Sequence, residues 1–203
     1  EAVTADHDLD GSVHDMGGDI VPAFVRQGGA YTYDFKKNVI PGMTERDQGY
    51  WRDVGTLDSY FDAHMDLISI HPIFNLYNYD WPIYTTHSPF PPAKFVHGAH
   101  GRFGEALNSM VSPGTVVSGA RVTNSVISPD CRVHSYTEVE SAVILDGVQI
   151  GRNCRIQRAI LDKNVVVPEG ASIGFDLEHD LARGFTVTES GLVVVGKGQK
   201  VTV

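Results

Sequence analysis

The sequence predicts a mixed fold in which a segment of helices and a short strand precedes a triangular β-solenoid. Three observations support this prediction. Aliphatic residues recur every 17 positions in the second half of the chain, turn-forming residues lie between them, and one segment of the first half has the apolar spacing of an amphipathic helix. The chain has 203 residues, which is enough for one large or two small domains.

Three columns of aliphatic residues predict the solenoid. Within one cycle the gaps between columns are six, six and five residues. A helix repeats its apolar stripe every three or four residues, and hairpins alternate with period two, so neither produces this spacing. A short strand plus a corner does, and three such sides close one coil whose neighbours bury its aliphatic side chains. About four coils are predicted from the columns Met110, Ile127, Ile144, Leu161; Val116, Val133, Ile150, Val167; and Val122, Val139, Ile156, Ile173.

The residues between and beside the columns agree with this geometry. Residues 112–114 (SPG) and 168–170 (PEG) are typical of tight corners. A second apolar set, Val126, Val143 and Ile160, precedes one column. Residues 191–196 are predicted to form a strand that pairs with or caps the open end of the prism, where an exposed edge would favour association.

The first half contains weaker signals. Acidic residues 1–13 are predicted to be a solvated loop, and residues 14–22 lead into a short helix with Phe24 and Val25 on its apolar side. Alternation over residues 31–35 predicts a strand. Thr56 is a plausible N-cap for a helix that extends to about Ile70. The proline-rich stretch that follows predicts the division 1–70, a connector over 71–105, and a solenoid domain over 106–203.

Composition excludes several classes of function. The formal net charge is −9, and an acidic chain repels nucleic-acid phosphates. No apolar run approaches the ~20 residues of a membrane span, and no leader-like segment opens the sequence. The only cysteines are Cys131 and Cys154, which predicts a reducing, cytoplasmic environment rather than a disulfide framework.

Four short motifs resemble the glucose-1-phosphate adenylyltransferase (ADP-glucose pyrophosphorylase) family, bacterial type. They are residues 14–17 (HDMG), 51–56 (WRDVGT), 81–85 (WPIYT) and 91–96 (PPAKFV). The DVGT sequence occurs in sugar nucleotidyltransferases in general, whereas PPAK together with WPI is more specific. The resemblance implies a partial α/β nucleotidyltransferase domain followed by a left-handed β-helix with hexapeptide repeats.

The chain also departs from the family pattern. The family's enzymes are roughly twice as long, and their Gly-rich nucleotide loop, sugar-phosphate lysine and glutamate have no match here. The resemblance therefore implies the C-terminal half of such an enzyme, and we expect these 203 residues to be inactive alone.

The resemblance also assigns roles to individual residues. The family joins ATP to α-glucose 1-phosphate, giving ADP-glucose and pyrophosphate, with Mg²⁺ neutralising phosphate charge. Asp53 matches a metal-binding, catalytic aspartate; Asp15, Met16 and Trp51 match positions that line the glucose site. From the residues alone, Asp53 could equally be a carboxylate near a helix N-terminus, Asp15 a helix cap, and Met16 and Trp51 packing residues.

A basic segment suggests regulation. Four cations, Arg152, Arg155, Arg158 and Lys163, lie within twelve positions, and such a group can bind a phosphorylated metabolite. The family is allosteric, and Lys163 matches a commonly basic position that contacts the effector, so Arg155, Arg158 and Lys163 are the candidate effector residues. A solvated basic face is the alternative.

Two rival functions remain for the solenoid. Hexapeptide acyltransferases place a catalytic histidine between the prisms of a trimer, but only His134 and His179 lie in or near these repeats. Two histidines are also too few for a γ-class carbonic anhydrase. The solenoid could instead be purely an assembly module. The resemblance implies a homotetramer, so a tetramer favours the pyrophosphorylase and a trimer the acyltransferase.

Overall fold

A computed structural model describes residues 1–86, 88–99 and 101–203 of the chain. Two compact units, Glu1–Val39 and Ile40–Val203, are distinguished by their internal contacts. The division at residues 70 and 105 stays a prediction. Within the stretch predicted as a connector, Lys94–Val96 forms a strand that pairs with the solenoid.

The first unit consists of short helices. They are α1 (Ala2–His7), a π-helical turn (Met16–Ile20), α2 (Val21–Arg26) and a 3₁₀ turn (Phe35–Lys37). The predicted loop over residues 1–13 is wrong where α1 forms, and Asp6 in that helix is only 7% exposed. The predicted strand over residues 31–35 is also wrong, since none of residues 1–39, all of which the structure describes, lies in a strand. Alternation creates a strand only where a partner strand is available.

Helix α3 (Leu57–Leu67) begins the second unit's regular structure. The Thr56 hydroxyl accepts a hydrogen bond from the Ser59 amide at 3.1 Å, and the Ser59 hydroxyl accepts one from the Thr56 amide at 3.1 Å. This reciprocal pair is a capping box, so the predicted N-cap is confirmed. The helix ends at Leu67, three residues before the predicted end.

Fourteen strands are described in the second unit, and all but β13 build the coils. They are β1 (Lys94–Val96), β2 (Glu105–Leu107), β3 (Met110–Val111), β4 (Val116–Ser118), β5 (Arg121–Thr123), β6 (Val126–Ile127), β7 (Arg132–Val133), β8 (Glu138–Ile144), β9 (Gln149–Ile150), β10 (Arg155–Leu161), β11 (Val166–Val167), β12 (Ser172–Ile173), β13 (Thr186–Val187) and β14 (Val193–Val195). A fourth helix, α4 (Leu177–Ala182), precedes β13.

The coil strands form three faces of parallel strands, as the sequence predicts. The first face contains β1, β4, β7, β9 and β11 in spatial order. Strands β8 and β10 bend at Ser141 (φ +49°) and Arg158 (φ +44°), so each contributes to two faces. The second face contains β2, β5, the first parts of β8 and β10, and β12; the third contains β3, β6, the second parts of β8 and β10, and β14. The predicted triangular solenoid is confirmed.

The interior columns follow the prediction except in the first coil. Ile144 pairs with Ile127 on one side and Leu161 on the other, and all three are fully buried. The predicted positions Met110 and Val116 are wrong, because Val111 pairs with Ile127 and Val117 pairs with Val133.

The predicted register fails at Met110 and Val116 because the first coil is shorter than the next one. The chain moves from the first face to the second in five residues between Val117 and Val122, whereas the next coil uses six between Val133 and Val139. A shift of one residue exchanges the inner and outer sides of a strand. The 17-residue period therefore fails on the N-terminal side of this corner.

We expect Val117→Ala to destabilise the chain by about 2 kcal/mol, through lost burial and a residual cavity. Val116→Ala is the matched control, because Val116 is only partly buried whereas Val117 is 0% exposed. Urea unfolding of both variants measures the difference. A larger loss for Val116→Ala would contradict the observed register.

The second apolar set forms a core outside the prism. Val143 and Ile160 point outward on the third face and pack with Phe61 of α3 and with Leu192, and all four are buried. Helix α3 thus covers the third face of the solenoid. The predicted alignment of Val126, Val143 and Ile160 is confirmed by their register.

The C-terminal segment closes one end of the prism. Strand β14 pairs in parallel with β10 and antiparallel with β13, which confirms the predicted strand within residues 191–196. The buried side chains of Arg183 and Asp180 form an ion pair. Arg183 also donates hydrogen bonds to the carbonyl oxygens of Ser172 and Thr202, each at 2.6 Å. These contacts join the last coil, α4 and the end of the chain.

Both cysteines are buried and reduced in the interior of the prism. Burial raises the pKa of the Cys131 thiol to about 11, so this thiol stays protonated at neutral pH and acts as a small packing residue. Over the described part of the chain, no helix has both the length and the apolar character needed to cross a bilayer.

Candidate functional site

Asp53 lies in the extended segment that leads into α3. Its Oδ1 atom accepts a hydrogen bond from the Gly55 amide at 2.8 Å, which forms a tight turn before the N-cap Thr56. The carboxylate is exposed and lies near the N-terminal end of the helix, where the helix dipole favours negative charge. Trp51, two residues earlier, is 79% exposed. This segment thus presents an anionic group and a large apolar surface together.

Asp15 and Met16 lie in the first unit, at the start of the π-helical turn. The Asp15 carboxylate accepts a hydrogen bond from the Gly18 amide, and its own amide donates to Asp19 Oδ2 at 3.0 Å. The helix-cap interpretation of Asp15 is therefore observed, and the second carboxylate oxygen provides a further acceptor. Met16 is 57% exposed. The glucose-site roles of these residues stay a prediction, as does that of Trp51 in the second unit.

The sequence reasoning missed a polar cluster next to Asp15. Asp6 accepts hydrogen bonds from the Ser12 hydroxyl at 2.8 Å and from His14 Nδ1 at 3.0 Å. His14 has a φ of +60°, a backbone region in which histidine is one of the few enriched side chains. The cluster holds the residue that directly precedes Asp15, and only the fold of α1 brings Asp6 to it.

We expect this cluster to open as the pH falls. The hydrogen bonds from His14 and Ser12 hold the pKa of Asp6 below its ordinary value of 3.8. The resulting stabilisation is present above that value and is lost as the pH falls through the lower folded-state pKa. NMR spectra of the amides of α1, recorded during acid titration, measure the change. Asp6→Asn is the control, and an unchanged acid transition in this variant would contradict the assignment.

A complete metal centre is not formed by the residues that the structure describes, since no three His, Cys, Asp or Glu side chains come together there. Asp53 alone supplies one exposed carboxylate, and Mg²⁺ is commonly bound by one or two carboxylates together with water and substrate phosphates. Asp53 therefore fits one ligand position of a Mg²⁺ ion.

The predicted effector cations lie at different positions around one coil. Arg155 is on the second face, with its guanidinium 4.1 Å from the centre of the Phe175 ring. Arg158 is at the following corner, where it donates to the Ser190 hydroxyl at 3.0 Å and lies 5.6 Å from the Phe61 ring. Lys163 is exposed in the turn between β10 and β11. Their role as effector residues stays a prediction.

Two known protein families match different parts of this chain. Residues 91–195, the solenoid with β1, match the family described as GlmU-like, C-terminal hexapeptide. The chain belongs to this hexapeptide-repeat family. Residues 2–70, which contain Asp15, Met16, Trp51 and Asp53, match the Nucleotidyl transferase family. The hexapeptide match supports the left-handed β-helix that the sequence motifs implied.

Curated relatives extend the similarity across nearly the whole chain. It is 60% identical to the glucose-1-phosphate adenylyltransferase of Parafrankia sp. over 98% of the chain, and 54% identical to that of Bifidobacterium adolescentis over 97%. The Arthrobacter sp. protein of the same name is 58% identical over 93%. The resemblance to this group is confirmed. The chain spans about half the length of these relatives, namely 48%, 48% and 40%.

Proposed function

We propose that this chain forms part of a glucose-1-phosphate adenylyltransferase, which makes ADP-glucose and pyrophosphate from ATP and α-glucose 1-phosphate for glycogen synthesis. The observation that carries the proposal is the 54–60% identity to proteins of that name over nearly the whole chain. The match of residues 2–70 to nucleotidyl transferases supports it independently of the solenoid.

In the proposed reaction, a phosphate oxygen of glucose 1-phosphate bonds to the α-phosphorus of ATP, and the bond to the departing pyrophosphate breaks. Such transfers depend on positioning and on neutralisation of phosphate charge. Mg²⁺ supplies that neutralisation when bound, and Asp53 would provide one of its oxygen ligands. Asp15 would accept hydrogen bonds from glucose hydroxyls, and Trp51 and Met16 would pack against the sugar ring.

The proposed enzyme is a cytoplasmic, allosteric homo-oligomer, with a tetramer as the expected state. Arg158 and Lys163 are exposed or partly exposed cations at successive corners of one coil, and Arg155 lies on the adjoining face. Together they would attract a phosphorylated effector. The buried, reduced thiols are consistent with a reducing compartment.

A chimera tests the activity. The N-terminal half of the Parafrankia relative is joined to this chain at the first aligned residue, and pyrophosphate release from ATP and glucose 1-phosphate is measured with Mg²⁺ present. We expect the chimera to make ADP-glucose and the 203 residues alone to make none, because the family's Gly-rich nucleotide loop and its sugar-phosphate lysine and glutamate have no match in these residues. A folded chimera without transfer activity would refute the proposed function, and normal turnover by the chain alone would refute its dependence on further residues.

A further inference from the structure

The second face of the solenoid carries an outward row of alternating charge. The strand register places Glu105 beside Arg121, Arg121 beside Glu138, and Glu138 beside Arg155. Each of these residues alternates with an inward-pointing aliphatic neighbour, so all four side chains leave the same face of the prism. At roughly 4.8 Å per strand the row spans about 14 Å.

This row is accessible. Arg121, Glu138 and Arg155 are exposed, and the Arg121 and Glu105 side chains are 60% and 38% exposed. Among the ion pairs of the described residues, only the one between Arg121 Nε and Glu105 Oε1, at 3.0 Å, lies within the row. The third face is covered by α3 through Phe61, whereas a shallow groove of about 290 Å³ lies open on the second face beside Arg121 and Glu138.

We propose that this face binds the same face of a second copy of the chain. A row that reads Glu, Arg, Glu, Arg becomes its own complement when it is reversed. A two-fold axis parallel to the strands, between Arg121 and Glu138, reverses the order of the coils. It places Arg121 opposite the Glu138 position of the other copy and Glu105 opposite the Arg155 position, each twice per dimer.

The neighbouring outward row agrees with this axis. It contains Leu107, Thr123, Glu140 and Gln157 in matching register. Reversal places the Thr123 hydroxyl opposite the Glu140 carboxylate and creates no pair of like charges. A two-fold axis along the solenoid would instead place Glu138 opposite the Glu140 position, which is repulsive. The charges therefore select one relative orientation of the two copies.

The contact is small, so the association is weak and concentration-dependent. A standard interface buries about 800 Å² per partner, more than four coils of one prism face present. This face would be a contact surface of the proposed homo-oligomer, and it rests on the proposed function only for the existence of self-association. It does not depend on nucleotidyl transfer.

Charge reversal in the full 203-residue chain tests the surface by sedimentation velocity over a concentration series. In a dimer of the Arg121→Glu variant, the introduced glutamate lies opposite Glu138 of the other copy, and this repulsive pair occurs twice. In a dimer of the Glu138→Arg variant, the introduced arginine lies opposite Arg121 of the other copy, again twice. We expect each to raise the dissociation constant by about tenfold or more. An equimolar mixture of the two variants restores opposite charges at both positions, so we expect it to associate about as well as the wild-type chain.

Arg132→Glu is the matched control, because Arg132 is an exposed strand residue on the first face, and it should leave association unchanged. Circular dichroism checks that each variant is folded. Single variants that associate as tightly as the wild-type chain would refute this surface while leaving oligomerisation intact. An equimolar mixture that associates no better than the single variants would refute it too. A wild-type chain that stays monomeric throughout the series would refute both the surface and self-association of this chain, whereas the chimera assay reports on activity separately.

Discussion

Asp53→Asn in the chimera is expected to lower kcat for ADP-glucose formation by about three orders of magnitude. The substitution keeps the size of the side chain but removes the negative charge that would hold Mg²⁺ against the phosphates. The Asn oxygen can still accept the hydrogen bond from the Gly55 amide, which Asp53 accepts at 2.8 Å, so folding should be little affected. Turnover is measured as pyrophosphate release at saturating substrates over a range of Mg²⁺ concentrations.

Asp62→Asn is the control for this experiment. Asp62 is an exposed carboxylate within α3, so its loss changes the net charge equally without touching the turn before the helix. We expect nearly normal turnover in this variant. Intact turnover in Asp53→Asn, with the chimera folded and active, would remove Asp53 from the metal site.

Arg183→Met is expected to lower the free energy of unfolding by about 3–5 kcal/mol, because it leaves the Asp180 charge buried and unpaired. Arg183 and Asp180 have side-chain exposures of only 5% and 2%. The variant also loses the hydrogen bonds to the Ser172 and Thr202 carbonyl oxygens. The loss is measured by urea unfolding monitored by circular dichroism.

The double variant Asp180→Asn, Arg183→Met separates the charge from the packing. Removing both charges avoids the unpaired carboxylate, so we expect the double variant to be more stable than Arg183→Met alone. The Gly174 amide donates to Asp180 Oδ2 at 2.8 Å, and the Asn oxygen can retain this bond. A double variant no more stable than Arg183→Met would show that the pair stabilises through packing alone.

The solenoid could be predicted because its signal is repeated and local. Ile127, Ile144 and Leu161 occupy equivalent positions in successive coils. Each coil therefore repeats the same sequence signal for the inward side of its strand. The N-cap of α3 could be predicted for a similar reason, since the capping pair Thr56 and Ser59 lies within three residues.

The first unit could not be predicted in the same way. Its acidic start resembles a solvated loop, but α1 places Asp6 against Ser12 and His14. Residues 31–35 alternate like a strand, but no described strand pairs with them through backbone hydrogen bonds. In both places the outcome depends on which other segment the chain meets.

By itself, the sequence determined the period of the solenoid, the inward columns from Ile127 onward and the motifs that tie the chain to a nucleotidyltransferase family. Only the tertiary structure decided that Val117 rather than Val116 faces inward, that α3 covers the third face, and that Glu105, Arg121, Glu138 and Arg155 share an exposed row. The physical reason is that periodicity fixes which side of a strand is buried. It does not fix the length of each corner, or which outer face another element covers, because both depend on packing between segments distant in the chain.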